Sequence, residues 1–296
     1  MQKLRLLFDR NTLLHLRLPF SFFLLPVFIF AISQAFPLNW SNTVVLFVAL
    51  HFFIYPGSNI YNSYMDDDKG SIGGLRNPPP ATRKMYYVSI IFDAAGLLLS
   101  SLLGWKMLLL MTGDIFISTA YSWKEIRLKK MAFAGWLTVM LFQGGYTCMM
   151  VSMAATNTYN AEWFTIKNLL CMLLASLLIG GYYPLTQIYQ HEEDSSRGDF
   201  TLSFKLGING TFIFSGALFV LACVVAWIYF GLFYSTTYFI VFITGLMPAI
   251  AYYLFWFAKS SKNKANADYL HAMRMTILSS CCLTICFLAI YFMNHP

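Results

Sequence analysis

Two short segments of this sequence repeat one pattern of polar side chains. Each segment places an amide, an aspartate and a glycine at intervals of four residues. The members are Asn62, Asp66 and Gly70 in the first segment and Gln190, Asp194 and Gly198 in the second. Residues four apart share a helix face, so each amide and carboxylate can present oxygen atoms to one point. Mg²⁺ takes one or two carboxylates together with phosphate oxygens, and two such sites could hold a diphosphate between them.

Basic side chains accompany the two acidic segments. They are Arg76, Lys124, Arg127, Lys129 and Arg197. Their positive charge complements a diphosphate, so the sequence combines acids for a metal with bases for phosphate oxygens. The alternative is that the acids are solvated loop charges, with Glu193 and Arg197 forming an ordinary i,i+4 helix pair. The repeated spacing favours the metal site.

The elements that carry these segments are apolar. Hydrophobic residues make up 58% of the 296-residue chain and charged residues only 11%, where a soluble domain has about a quarter charged. This composition excludes an ordinary soluble enzyme. The apolar stretches predict nine membrane spans, which are residues 18–36, 43–62, 86–104, 107–121, 131–155, 164–184, 211–230, 238–257 and 275–292. We therefore expect an all-α, polytopic bundle of about nine transmembrane helices around a central cavity, forming one membrane-embedded domain over residues 1–296.

Charge distribution predicts the orientation of the spans. With nine spans, only Lys106 and Lys167 of the 20 Lys and Arg residues lie on one side of the membrane. The positive-inside rule then places the amino terminus and both acidic segments in the cytoplasm. The net charge of +7 thus reports orientation and attraction to membrane lipid, and nucleic acid is not an expected partner.

At these residues the chain resembles the UbiA-type family of intramembrane prenyltransferases. The family's first acidic motif, Asn-Asp-x-x-Asp-x-x-x-Asp, is matched by Asn62 and Asp66. Its second, Asp-x-x-x-Asp-x-x-x-Gly-x-x-Thr-Leu followed by Leu-Gly, is matched by Asp194, Gly198, Thr201, Leu202, Leu206 and Gly207. The Tyr121–Ser122 pair with the basic residues after it is similar to the family's Tyr-Ser loop, and Arg17-Leu18-Pro19 is similar to its Arg-Pro start.

Three positions depart from the family pattern. Ser63 and Gly70 replace two aspartates of the first motif, and Gln190 replaces the first aspartate of the second. Each change removes a negative charge from the expected metal site, although Gln190 keeps a neutral carbonyl oxygen. Asp67, Asp68 or Glu193 could compensate, and Glu193 lies three residues from Gln190, a spacing that places both on one helix face.

The resemblance implies a mechanism. Family members bind an isoprenyl diphosphate with Mg²⁺, ionise its allylic carbon–oxygen bond and pass the carbocation to a lipophilic acceptor. It implies that Asn62, Asp66, Gln190 and Asp194 bind the metal, that Asp66, Asp194 and Tyr121 are catalytic, and that the five basic residues named above bind the diphosphate. Aromatic side chains such as Tyr121 would stabilise the carbocation. Asp93, an acid within a predicted span, either assists the acceptor or is a structural hydrogen-bond partner.

Other functions fit parts of the pattern. The same ionisation without an external acceptor would make the protein a membrane terpene cyclase. A transporter would also carry buried acids, but its inverted repeats would not keep both acidic segments on one face, as an offset of four spans does. A catalytically silent family member is the remaining alternative, because of Ser63, Gly70 and Gln190.

Overall fold

Helices dominate the computed structural model, which describes residues 7–295. In chain order they are α1 (Arg10–His15), α2 (Leu18–Ser21), α3 (Leu25–Ser33), α4 (Trp40–Val48), α5 (Tyr55–Asp66), α6 (Arg83–Ser101), α7 (Trp105–Ser122), α8 (Ala132–Val139), α9 (Thr147–Thr156), α10 (Ile166–Gln187), α11 (His191–Arg197), α12 (Leu202–Phe233), α13 (Thr236–Lys262) and α14 (Tyr269–Asn294). A π-helical segment, Ala49–Ile54, joins α4 to α5, and a second, Met140–Tyr146, joins α8 to α9.

Side-chain caps explain where several long helices begin. The side chains of Asn39, Thr165, Thr201 and Asp268 accept hydrogen bonds from the backbone N–H three residues on, at the start of α4, α10, α12 and α14 respectively. Such caps satisfy one of the four orphan donors of a helix. The sequence thus fixes these helix starts locally.

Seven of the described helical stretches are long and apolar enough to cross a membrane. They are α1–α3, α4–α5, α8–α9, α10, α12, α13 and α14. The two other long helices, α6 and α7, coincide with the third and fourth predicted spans, but Asp93 and Asp114 are among the polar residues that lower their hydropathy. The predicted polytopic helical membrane fold is confirmed, with the count of about nine as an approximation.

The described chain divides into two compact units. The first comprises residues up to Phe22 and Asn39–Leu128, and the second comprises Phe23–Leu38 and the residues from Lys129 onwards. One domain over residues 1–296 stays a prediction.

In the first unit, α5 packs closely against α6 through small residues. A Cβ atom on Gly57 would lie 2.9 Å from Asp93 Oδ1, and one on Gly96 would lie 2.2 Å from Ile54 Cδ1. Glycines at such contacts let membrane helices approach each other. Ile60, Met85 and Val88 form a buried core beside this contact, so the end of α5 is held in place.

In the second unit, α10 packs against α12 and against the π-helical segment. The Ser176 hydroxyl accepts a hydrogen bond from Gly145 N at 3.0 Å, and Trp136 Nε1 donates to Gly180 O at 2.8 Å. A short parallel pairing joins Met131 and Ala132 to Phe200 and Thr201. This pairing ties the start of α8 to the segment between α11 and α12, where the second acidic motif lies.

Candidate functional site

The first acidic motif lies at the carboxyl end of α5. Asn62 and Asp66 are both helical, so the predicted i,i+4 relationship holds here. Asn62 Nδ2 donates a hydrogen bond to Ser122 Oγ at 2.8 Å. Because the amide donates through its nitrogen, its oxygen is the atom with ligand capacity. The helix ends at Asp67, which adopts the left-handed conformation with φ 50°.

Asp66 forms an ion pair with Arg127. Arg127 Nη1 lies 3.3 Å from Asp66 Oδ1, and the two side chains are only 14% and 4% exposed. Arg127 follows α7 in a tight turn, with its backbone N–H donating to Trp123 O at 2.7 Å and its φ at 46°. Left-handed conformations of non-glycine residues are strained and are held by their surroundings. The structure thus brings together a predicted metal ligand and a predicted diphosphate ligand.

Arg17 anchors the loop that follows the first motif. Its guanidinium donates to Asn59 O on α5 at 3.0 Å and to Gly73 O in the loop at 3.2 Å. The ring of Phe20 lies against both the guanidinium and Gly73. In this loop Asp67 is exposed, whereas Asp68 is buried. The Arg17-Leu18-Pro19 segment therefore positions the backbone around the first motif.

The second acidic motif lies on α11 and its flanks. Asp194 is buried, and its Oδ2 atom lies 3.4 Å from Thr201 Oγ1, which donates to it. Arg197 Nη2 lies 3.8 Å from Asp194 Oδ1 and 3.5 Å from Glu193 Oε1. The helix ends at Gly198, whose φ of 72° is left-handed. This motif too couples its aspartate to an arginine.

One local expectation for the second motif is wrong. Gln190 does not share a helix face with Asp194, because α10 ends at Gln187 and Gln190 is the N-cap residue of α11, outside the helix. The backbone still links the pair, since Asp194 N donates to Gln190 O at 2.8 Å. The neighbouring His191 contacts Ser203 Oγ at 2.8 Å, and burial lowers the pKa of this histidine.

The remaining predicted basic residues differ in exposure. Arg76 and Lys124 are exposed, while Lys129 is half-buried. Tyr121, also half-buried, lies in the last turn of α7, directly before the Ser122 that receives the Asn62 hydrogen bond. Tyr121 therefore lies next to the first motif, and the two exposed cations are open to a soluble anion.

Asp93 borders a small polar pocket in the first unit. Its other lining residues include Ser58, Tyr61 and Ser118, and its volume is about 10 Å³. Ser58 Oγ and Ser118 Oγ are hydrogen-bonded across it at 2.5 Å. A pocket of this size holds about one water molecule. It has no room for a lipophilic acceptor, so the space beside Asp93 favours the hydrogen-bonding role.

The sequence reasoning missed several residues around the two motifs. Asp68, which the sequence offered only as one of three possible compensating acids, and Asp199, which it gave no role, are both buried. Ser122 and Thr201 contact the motif residues directly. Both residues lie in segments that resemble the family motifs, so the resemblance could have identified them. The sequence predicted no chemical role for either one.

The donor atoms fit a metal that is bound together with its substrate. Within residues 7–295, no group of three or more His, Cys, Asp or Glu side chains is arranged to hold an ion. Each motif by itself offers hard oxygen donors: the Asp66 carboxylate and the Asn62 amide oxygen in the first, and the Asp194 carboxylate in the second. Mg²⁺ accepts such a sparse set because it keeps several waters and takes phosphate oxygens. The described residues therefore do not indicate a site in which protein side chains alone bind a metal ion.

A comparison with family models gives one match. The model of the UbiA prenyltransferase family matches residues 21–293, which covers both compact units and both acidic motifs. No curated protein is similar enough to count as a match.

Solved structures share the fold at low sequence identity. A UbiA homologue from Archaeoglobus fulgidus, bound to DMAPP and Mg²⁺, aligns with a TM-score of 0.67 and 18% identity over 95% of this chain and 99% of its own. The apo UbiA homologue from Aeropyrum pernix K1 gives 0.67 and 15% over 94% and 98%. A digeranylgeranylglyceryl phosphate synthase gives 0.61 and 17%, over 99% of both chains. At these identities the likeness concerns the fold.

Proposed function

The chain belongs to the UbiA prenyltransferase family, and from this premise we propose that it is an intramembrane prenyltransferase. It moves an isoprenyl group from an isoprenyl diphosphate to an aromatic or other lipophilic acceptor. The proposal rests on one observation: a buried aspartate lies beside an arginine in each motif. Asp66 lies beside Arg127, and Asp194 lies beside Arg197. Buried charges of this kind are costly unless paired, and they concentrate at functional sites.

Mg²⁺ is the cofactor of the proposed reaction. The structural neighbour from Archaeoglobus fulgidus is bound to DMAPP and Mg²⁺ in one structure and to GPP and Mg²⁺ in another. In this chain Asn62 and Asp66 would be the metal ligands of the first motif, and Gln190 and Asp194 those of the second. When bound, the ion would supply positive charge that stabilises the departing diphosphate.

Basic side chains of this chain bind the diphosphate. Arg127 and Arg197 are the half-buried members of the predicted set that already contact a motif aspartate. Substrate oxygens would compete with these carboxylates for the guanidinium groups, whose planar donors suit phosphate. Arg76, Lys124 and Lys129 complete the set. Positive groups fixed beforehand around the leaving group lower the barrier because they need no reorganisation during the reaction.

The hydrocarbon side of the reaction needs an environment without water. A carbocation is quenched by water, and aromatic faces stabilise it through their quadrupoles. Tyr121, at the end of α7 beside the first motif, is the aromatic residue to which we assign this role. Asp93 and Glu193 are secondary: Asp93, beside a pocket with room for about one water molecule, takes the hydrogen-bonding role, and Glu193 supports the charge of the second motif through Arg197. The motif loops and the amino terminus face the cytoplasm, as the distribution of Lys and Arg predicts.

Release of inorganic diphosphate tests the proposal. Purified full-length protein is given farnesyl or geranylgeranyl diphosphate, with a mixture of aromatic and lipid acceptors, in the presence and absence of Mg²⁺. We expect Mg²⁺-dependent release that Asp66→Asn and Asp194→Asn each reduce by at least about a hundredfold, in line with loss of a main electrostatic group. The matched control is Glu192→Gln, which removes an exposed acid from the same helix as Asp194.

The products of the same assay separate the alternatives. A prenylated acceptor supports the transferase, whereas a cyclic terpene formed without any acceptor would make the protein a cyclase. A silent family member is favoured by Ser63, Gly70 and Gln190, each of which removes a charge from the family pattern. If folded protein releases no diphosphate with any donor, the protein is a silent family member and the proposed enzymatic function is wrong.

A further inference from the structure

A large apolar cavity lies within the second unit. Its volume is about 700 Å³, and its walls come from α3, α10, α12, α13 and α14. Aromatic side chains form much of the wall, among them Phe30, Phe212, Phe219, Tyr253 and Phe287. Neither Asp194 nor any other predicted site residue lines it. The cavity is large enough for a lipophilic ligand.

Hydroxyl groups in the cavity wall already have partners inside the protein. Tyr182 donates to Thr276 Oγ1, and Tyr253 donates to Phe212 O. The Ser279 hydroxyl donates to Met275 O at 2.6 Å. These groups therefore do not need a polar ligand to satisfy them, and apart from the Ser280 hydroxyl and the Cys223 thiol the remaining wall is hydrocarbon. A bound molecule would place a hydrocarbon chain here and keep its polar group elsewhere.

The cavity opens sideways between α12 and α13. Ile213, Val220 and Trp227 on α12 and Leu254 on α13 line the cavity and are also 57–65% exposed. Both helices are among those able to span a membrane, so this opening, which we call the α12–α13 cleft, faces the bilayer. The α12 residues that line the cavity extend from Phe212 to Trp227. They span about 22 Å of helix at 1.5 Å per residue. The hydrocarbon core of a bilayer is about 30 Å thick, so this length is greater than the thickness of one leaflet.

Positive charge lies beyond one end of this cleft. Ser261 Oγ donates to Asn209 Oδ1 at 3.3 Å and joins the two helices there. Ser261 lies seven residues after Leu254 on α13 and thus on nearly the same helix face. Lys262 and Lys264 follow directly and are exposed. A molecule with its chain in the cleft would therefore have its head beside these lysines.

We propose that the α12–α13 cleft binds an anionic phospholipid, with one acyl chain in the cavity and the headgroup at Lys262 and Lys264. The chain enters from the bilayer through the side opening, and the exposed ammonium groups attract the phosphate. Ordinary contact of lipid with an apolar helix face needs no internal volume, whereas this cleft supplies about 700 Å³ of it. The site is separate from the proposed reaction and does not depend on it.

Photochemical labelling tests the site. Full-length protein is reconstituted in phosphatidylcholine vesicles that contain a small fraction of phosphatidylglycerol with a diazirine on one acyl chain. We expect the labelled peptides to concentrate between Ile213 and Trp227 and between Phe239 and Phe257. Val220→Trp fills the opening and should reduce this labelling about tenfold, which corresponds to about 1.4 kcal/mol. The matched control is Leu221→Trp, at the next position on α12, which is exposed but does not line the cavity.

The headgroup is tested with a second probe and a charge variant. A phosphatidylcholine probe with the same diazirine should label the cleft less than the phosphatidylglycerol probe does. Replacing Lys262 and Lys264 together by Gln should remove this difference, and Lys106→Gln, an exposed lysine at the start of α7, should leave it.

Three results would overturn the proposal. Labelling spread evenly over all bilayer-facing helices would mean ordinary lipid contact only. Equal labelling of the wild-type cleft by both probes would show that the site does not select an anionic headgroup. Loss of cleft labelling on addition of geranylgeranyl diphosphate would identify an isoprenoid chain as the occupant. The wild-type labelling pattern alone decides these outcomes, even where a variant fails to fold.

Discussion

Arg127 Nη1 lies 3.3 Å from Asp66 Oδ1 in an ion pair that is almost fully shielded from solvent. The two residues come from different predicted groups, the metal ligands and the diphosphate ligands; Asp66 ends α5, whereas Arg127 lies in the turn after α7. In low dielectric such a pair is strongly coupled, and removing one partner leaves an uncompensated charge. The pair therefore holds the carboxylate of the first motif in place until a substrate oxygen or a cation competes for it.

A double-mutant cycle measures this coupling. Asp66→Asn and Arg127→Gln should each destabilise the protein, and the double variant should be more stable than the sum of the two effects predicts. We expect a coupling energy of about 1 to 3 kcal/mol, the upper range for residues in direct contact. Thermal unfolding in mild detergent is the measurement. Lys124→Gln, an exposed cation in the same loop, serves as the control; coupling of the same size between Lys124 and Asp66 would contradict a specific pair.

Arg17→Lys should loosen the loop after the first motif. One ammonium group cannot reproduce the two guanidinium hydrogen bonds to Asn59 O and Gly73 O, since Lys lacks the planar fork of donors. Each hydrogen bond from a charged group contributes about 1.5 to 3 kcal/mol. We expect faster trypsin cleavage after Lys69 and Arg76, both exposed in this loop. Arg83→Lys, an exposed arginine over the Tyr87 ring, should leave the cleavage rate unchanged.

Gly207→Ala should destabilise the start of α12. Gly207 has φ 66° and ψ 177°, a non-helical conformation within the helix, and this region is almost exclusive to glycine. No atom lies within 4 Å of an added Cβ, so the cost comes from the backbone alone, about 1 to 3 kcal/mol. Gly231→Ala is the matched control, because its added Cβ also has open space but its backbone is helical. That variant should be neutral or stabilising by up to about 1 kcal/mol.

A weak pH dependence should arise at the amino-terminal end of the first unit. Lys84 Nζ lies 2.7 Å from Asp9 Oδ2, and the hydrogen bond from Lys84, with one from Thr12 N, lowers the pKa of Asp9 to about 2. Because this pKa lies below the ordinary value of 3.8, the pair stabilises the fold above about pH 4 and is lost as pH falls towards 2. Both side chains are about 40% exposed, so the effect is below about 1 kcal/mol.

Comparison of the wild type with Asp9→Asn measures the effect. Asparagine keeps the N-cap of α1 and loses the ion pair. The difference in Tm should be present at pH 6 and shrink at pH 3. A difference that stays constant between these pH values would contradict the assignment to Asp9.

The fold was predictable from the sequence because membrane spans are long and apolar. Seven of the nine predicted spans coincide with helical stretches able to cross a membrane and the other two with α6 and α7, and the errors lie at their ends. The first span was extended to Phe36, for example, whereas α3 ends at Ser33, before Pro37. Proline restricts the residue before it and ends helices early. Periodicity also placed Asn62 and Asp66 on one helix face.

The candidate site was predictable only in part. The break after Gln187 leaves Gln190 outside α11, and the spacing of Gln190 and Asp194 in the sequence did not indicate it. The contact between Asp66 and Arg127 joins the end of α5 to the turn after α7, and Arg127 has a left-handed backbone there. Contacts between distant residues and backbone strain depend on the folded structure. Residue types and spacing therefore predicted which residues belong to the site, but not which of them contact each other.

Substitutions at the departures from the family pattern should have opposite effects in the two motifs. Ser63 is fully buried within α5, so Ser63→Asp would bury a carboxylate and should cost several kcal/mol. Gln190 is half-buried at the N-cap of α11, and its side chain makes no capping hydrogen bond. Aspartate is a preferred N-cap residue and contributes about 0.5 to 2 kcal/mol there.

Gln190→Asp should therefore stabilise the protein and strengthen its use of Mg²⁺. The added carboxylate restores a negative charge beside Asp194, so we expect the Mg²⁺ concentration for half-maximal diphosphate release to fall by about three- to tenfold, which corresponds to roughly 0.7 to 1.4 kcal/mol. The control is Gln190→Asn, which can cap the helix but adds no charge. It should raise the Tm without changing the Mg²⁺ requirement. If both variants shift that requirement equally, or neither does, Gln190 does not belong to the metal site and its substitution in this chain is a matter of local structure alone.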